Sequence, residues 1–167
     1  EGLNKALNFA LDYNGSADGR ITTMMAPHAP YTCSRDYLEQ IKDLAQKNDI
    51  PVHIHLSESK KEVKDFLNEY QKSPIKYLAD FNFFDNQILA AHCVHLEPGD
   101  LKILKEKQVQ IAHNPMSNAK LANGIAPIKE YLENKINVSL GTDGVSSNNS
   151  LDMLKEAKMA SYLQKIK

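Results

Sequence analysis

Tryptophan is absent from these 167 residues, and cysteine occurs only as Cys33 and Cys93. Two thiols are too few for a disulfide framework and fit a reducing compartment. Charge of one sign is also lacking: 20 Lys and Arg face 21 Asp and Glu, for a net charge of -1. That balance gives no electrostatic reason to expect nucleic acid or an anionic membrane as partner. No apolar run approaches the roughly 20 residues that span a bilayer, and no signal-peptide pattern is present. Neither a glycine-rich phosphate loop nor a Gly-x-Ser-x-Gly elbow occurs. A soluble cytoplasmic protein is expected.

What is present is strict alternation. The apolar periodicity predicts a helix over Gly2 to Tyr13, then a strand over Ile21 to Ala26 that Pro27 halts. A helix from Ser34 to Lys47 follows, with Ser34 as N-cap. Val52 to Leu56 is the second strand, with helices over Ser59 to Tyr70 and Pro74 to Phe81. Ile88 to Cys93 is the third strand, with a helix over Pro98 to Lys107. Val109 to Ala112 is the fourth, with a helix over Ile125 to Asn134 carrying Pro127 in its first turn. Val138 to Leu140 is the fifth, and Leu151 to Ile166 the last helix. Short, continuously apolar strands alternating with helices imply an α/β protein with a parallel sheet. An open doubly wound sheet and part of a (β/α) barrel both fit. Five strands fall short of the roughly 250 residues of a full barrel. The chain opens with Glu1 inside one amphipathic pattern and closes inside another, as expected of a segment of a longer protein.

The histidines occupy one edge of this layout. His28 follows the first strand, His53 and His55 lie in the second, His92 and His95 close the third, and His113 closes the fourth. Asp143 follows the fifth, in Leu140-Gly141-Thr142-Asp143-Gly144. The C-terminal ends of parallel strands are where α/β active sites are built. His53 and His55, two apart, point to one face of a strand. Glu58 falls just past the strand end, where its carboxylate reaches over the mouth. Imidazole and carboxylate together suit a divalent ion of zinc or iron type. Each piece also has a plain structural reading: a packed core histidine, a turn aspartate beside glycine, a capping function for His113-Asn114-Pro115 and Ser117-Asn118. The cysteines lack a Cys-x-x-Cys pair and the Pro-Cys-x-x-Cys signature of small zinc deaminases, and read as packed side chains.

Taken jointly, five segments resemble successive motifs of the amidohydrolase superfamily. They are Ala26-Pro27-His28-Ala29-Pro30-Tyr31-Thr32-Cys33-Ser34, His53-Ile54-His55-Leu56-Ser57-Glu58, Ala91-His92-Cys93-Val94-His95-Leu96, His113-Asn114-Pro115-Met116-Ser117-Asn118-Ala119-Lys120-Leu121 and Gly141-Thr142-Asp143-Gly144. The branch they resemble is that of methylthioadenosine/S-adenosylhomocysteine deaminases, related to triazine chlorohydrolases. The resemblance implies that residues 1–167 are the C-terminal part of a catalytic TIM-like (β/α)8 barrel, strands four to eight with their helices. It implies one divalent metal ion, zinc first and iron second, with His55 and Asp143 as ligands. Glu58 matches the catalytic carboxylate that also meets the substrate, and His92 the histidine that contacts the reactive water. His28 matches a substrate-contacting histidine, and Asp143 also accepts a proton in the reaction. The implied activity is hydrolytic deamination of an adenosine-type nucleoside, with guanine, cytosine or chlorotriazine hydrolysis as alternatives. A homo-oligomer is implied for the parent. The family's strand-one His-x-His pair is not in this chain, so the segment alone is expected to bind metal poorly and to be inactive.

Overall fold

A computed structural model describes residues 2–166. Helix α1 (Gly2–Tyr13) is followed by a tight turn labelled α2 (Ser16–Gly19), in which Ala17 and Asp18 are left-handed. Then come α3 (Arg35–Asn48), β1 (Val52–Leu56), α4 (Lys60–Tyr70) and α5 (Pro74–Ala79). After a 3-10 turn at Phe83–Asp85 follow β2 (Ile88–His92), α6 (Asp100–Glu106), β3 (Gln110–His113) and α7 (Pro115–Lys120). The remaining elements are α8 (Ile128–Glu133), β4 (Val138–Leu140), α9 (Val145–Asn148) and α10 (Met153–Ile166).

Among the described residues the sheet has four parallel strands in the order β1-β2-β3-β4. A doubly wound sheet reverses its strand order at a switch point; this one does not. Parallel crossovers are right-handed almost without exception, so a sequential order puts every connecting helix on one face. Burial agrees. Val52, Ile54, Leu56, Ile88, Ala90 and Ile111 belong to the hydrophobic core under the helices, whereas His53 and His55 on the opposite face of β1 remain half exposed. The strand register lines up His55, Ala91, Ala112 and Ser139 across that opposite face.

The strand expected over Ile21 to Ala26 does not form. Its place beside β1 is held by one bridge, Met25 to Val52. Met25 N donates to Pro51 O at 2.9 Å and His53 N to Met25 O at 2.8 Å, and His55 N donates to His28 O at 3.0 Å. Pro27 has no N–H to extend the ladder, and Ile21, Thr22 and Met24 are exposed. Fragmentary pairing nevertheless delivers His28 to the end of β1. Two short helices, α7 and α9, arise where turns were expected, and α8 starts after Pro127 rather than including it.

Helix ends follow local chemistry. Ser34 Oγ accepts from Tyr37 N at 3.3 Å to cap α3, which buries Leu38, Ile41 and Ala45. On α8 the buried Tyr131 hydroxyl donates to Cys93 O at 2.5 Å. Cys93 has φ 43 and directly follows His92, so this bond steadies the irregular end of β2. Tyr131→Phe strands a buried carbonyl, and a loss of about 1–3 kcal/mol is expected. Chemical denaturation of the complete protein measures it, and an unchanged midpoint would deny the bond any share in stability.

Candidate active site

The residues singled out at the strand ends converge, and β2 shows how. Ile88 and Ala90 face the helices, and regular alternation would send His92 the same way. His92 instead has φ 72. Its ring stacks against His55, on the opposite face of β1, at 5.6 Å between centroids and 21° between planes. A positive φ is uncommon outside glycine, and here it turns a reactive side chain across the sheet edge. His92 is 1% exposed. Its Nδ1 lies 2.8 Å from Asn118 Oδ1. The amide oxygen can only accept, so the ring keeps its proton on Nδ1 and turns Nε2 toward Glu58 Oε2, 3.8 Å away.

His55 is oriented in the same manner. Its Nδ1 donates to His28 O at 2.6 Å, leaving Nε2 as the nitrogen with a free lone pair. The His28 ring lies 5.0 Å from that of His55, and its Nδ1 pairs with Thr32 Oγ1 at 2.8 Å. Asp143, left-handed at φ 58, sits after β4. Its Oδ2 accepts from Ser117 Oγ at 2.6 Å and its Oδ1 from Gly144 N at 2.7 Å. Burial alone would raise this carboxyl, but those hydrogen bonds and the nearby His92 and His55 hold it below the ordinary aspartate value. It is an anion at neutral pH. The preceding Gly141 leaves room for Asn114, since a Cβ there would collide with Asn114 Oδ1.

The chemistry of His55 and Asp143 fits a divalent ion. A neutral imidazole with its distal N–H bound to a carbonyl, and an ionised carboxylate, are what zinc sites use. Among the described residues no group of three or more His, Cys, Asp or Glu side chains could hold a metal. His55 Nε2 and the Asp143 carboxylate are the two groups at this edge whose chemistry suits a metal ligand.

Glu58 stands on a clamped turn. Ser57 is left-handed at φ 48 and fully buried. Its carbonyl accepts from both Val94 N and His95 N at 3.0 Å, tying the turn after β1 to the loop after His92. Beneath it, Glu62 accepts from Ser57 N at 3.0 Å and Glu58 N at 2.8 Å, while Ser59 Oγ caps α4 through Glu62 N. Burial pushes Glu62 up to about 7, and the backbone hydrogen bonds from Glu58 and Ser57 oppose that rise only in part. A folded-state pKa above the ordinary 4.5 adds stability that is complete below about 4.5 and is lost as pH climbs through about 7. Glu62→Gln cannot ionise and sets an amide N–H against a backbone N–H. It is expected to cost about 1–3 kcal/mol at pH 5 and to flatten the decline between pH 5 and 7. Denaturant titrations across that range test it, and a parallel curve for the variant would refute it.

The segment from Pro115 to Gly124 supports three of these groups. Ser117 holds Asp143, Asn118 holds His92, and Asn123 Nδ2 donates to Glu58 Oε1 at 2.8 Å. From behind, Glu156 on α10 accepts from Met116 N at 3.2 Å and Asn148 Nδ2 at 2.5 Å. Ser117 and Asn118 do more than cap and turn the chain, since each fixes a strand-end side chain. Glu62, Asn123 and Glu156 were not singled out from sequence, although Ser59-x-x-Glu62 is a capping-box pattern. His113 and His53 stay apart from the cluster's hydrogen bonds. Burial, then the neighbouring His92, lowers His113 to about 4, and it is neutral at pH 7. Burial, then His55 and His92, likewise lowers His53.

Residues 6–167 match the profile of the amidohydrolase family. This chain belongs to that family. It is 45% identical over 166 residues to a 5-methylthioadenosine/S-adenosylhomocysteine deaminase of Halothermothrix orenii, covering 99% of this chain and 38% of that protein. It is 48% identical over 159 residues to a 5'-deoxyadenosine deaminase of Methanosphaera stadtmanae, covering 95% of this chain and 37% of the relative. The amidohydrolase chain also superimposes on a crystal structure of an adenosine deaminase from Xanthomonas campestris with bound zinc. There the TM-score is 0.92 and the identity 34%, over 98% of this chain and 37% of that one. It thus spans under two-fifths of the length of each relative. Among the described residues no helix is long and apolar enough to cross a membrane.

Proposed function

We propose that the complete protein is a metal-dependent deaminase of adenosine-type nucleosides, acting on 5'-methylthioadenosine or S-adenosylhomocysteine in the cytoplasm. The observation that carries this reading is the meeting of Glu58 and His92 beside His55 at one sheet edge, in a chain so similar to purine-nucleoside deaminases. In this reading residues 1–167 supply strands four to eight of a barrel. The Met25 bridge stands for strand four, and the uncovered face bearing His53 and His55 becomes the lumen.

His55 Nε2 and the Asp143 carboxylate would hold the ion, which is zinc by likeness to the Xanthomonas enzyme, with iron as the alternative. When bound, such an ion lowers the pKa of water toward neutrality. His92, fixed by Asn118, orients the attacking water through Nε2. Asp143 takes up a proton from that water. Glu58 delivers a proton to the ring nitrogen beside the attacked carbon, so charge does not accumulate in the purine. Asp143 passes the proton it took up to the exocyclic amine, which leaves as ammonia as its bond to the ring carbon breaks. The remaining hydroxyl proton returns to Glu58, and the base keeps the oxygen as a carbonyl. His28, exposed at the rim, contacts the nucleoside.

The 167-residue chain by itself would offer too few donors for tight metal binding and would not turn over. The test is ammonia release by the complete, metal-loaded protein from methylthioadenosine, S-adenosylhomocysteine and adenosine. Release from none of the three would sink the substrate assignment. Release of chloride from a chlorotriazine, or of ammonia from guanine, would move the protein to a neighbouring activity.

A further inference from the structure

Asn123 is absent from the roles described for the reaction, yet it is the best-anchored polar group touching Glu58. Its backbone N donates to Asn118 O at 2.8 Å. Its carbonyl accepts from His95 Nε2 at 2.6 Å. Both ends of the residue are thereby fixed before its side chain is considered. Gly124 follows at φ 110, with the His95 ring 3.5 Å from where a Cβ would sit. His95 thus packs over the turn as well as bonding to it. From this mounting Asn123 Nδ2 reaches Glu58 Oε1 at 2.8 Å. A carboxylate only accepts, so the amide must present its N–H2.

We propose that Asn123, held by His95, is the positioning residue that orients Glu58 and assigns the transferred proton to Glu58 Oε2. A proton on Oε1 would face the amide donor. A proton on Oε2 does not, and Oε2 is the oxygen beside His92, at 3.8 Å. The amide therefore divides the two oxygens into one anchored and one reactive. His95, at the strand end with the other histidines, acts two bonds away from the carboxylate rather than on substrate. The inference rests on the deaminase reading for its kinetic consequence, though not for its geometry.

The experiment uses the complete, metal-loaded enzyme in four forms: wild type, Asn123→Ala, Glu58→Gln and the double variant. His95→Phe, which keeps the ring and loses Nε2, is tested alongside. Misplacing a reacting group by about 1 Å can cost roughly a hundredfold. Asn123→Ala is expected to lower kcat by roughly tenfold to a hundredfold with little change in KM, and His95→Phe to act in the same direction. In the Glu58→Gln background neither should lower kcat further, because the group they orient is already disabled. An undiminished kcat in Asn123→Ala, or the same loss with and without Glu58, overturns the assignment. If Asn123→Ala does not fold, His95→Phe decides by the same cycle. If wild type deaminates no purine nucleoside, the functional reading fails separately. The crystal structure of Asn123→Ala then judges the inference: a Glu58 carboxylate turned away from His92 supports it, and an unmoved one overturns it.

Discussion

Asp143→Asn in the complete protein is expected to lose both metal and turnover. The wild-type side chain accepts from Ser117 Oγ and Gly144 N and remains an anion. An asparagine has one accepting oxygen, which Gly144 N can keep while the amide donates to Ser117 Oγ with the hydroxyl's role reversed. It lacks the charge that a divalent ion draws on and the basicity to take a proton. The proton-transfer role alone is worth roughly a hundredfold to ten-thousandfold in rate, and loss of the ion adds to that. Metal content by elemental analysis and ammonia release measured on one preparation are the check. A variant that keeps its metal and deaminates normally would remove Asp143 from the site.

Glu58→Gln is expected to separate the same two properties. Its backbone N–H still binds Glu62 and its turn is still clamped through Ser57, so metal content should stay at the wild-type level. The side chain can no longer deliver a proton, and kcat should fall by roughly a hundredfold to ten-thousandfold with KM little altered. If KM rose instead while kcat held, Glu58 would be a substrate-binding group and not a proton donor. The two variants together separate a carboxylate that both holds the ion and takes up a proton from one that transfers protons without holding the ion.

How far these roles can be read from sequence depends on the range of the interaction. Strands such as Val52–Leu56 and Val138–Leu140 are legible because each alternates apolar with polar residues and leads toward reactive ones. Ser34 is legible as a cap because capping is local. The stretch Ile21 to Ala26 misleads because its side chains suit a strand, whereas Ile21, Thr22 and Met24 stay exposed and only Met25 pairs with β1. The α7 helix is missed for the opposite reason: six residues are too few to display a period, although Pro115 after Asn114 is a helix-start signal. The hydrogen bonds that orient the site span distances no local pattern records. His55 reaches back 27 residues to His28 O, and Asn123 reaches 65 residues to Glu58. Nor does the sequence mark that His92 takes a positive φ, which turns its ring toward His55.

The spacing between Ser117, Asn118 and Asn123 has a consequence of its own. Three side chains on one short stretch keep three groups in register, and those groups come from three different parts of the chain. Length is a property this stretch must hold as well as residue type. A single inserted residue between Asn118 and Asn123 would alter no reactive residue and still pull Glu58 and His92 out of step. Surface loops elsewhere tolerate such insertions readily. Here the loop is the ruler against which the site is set.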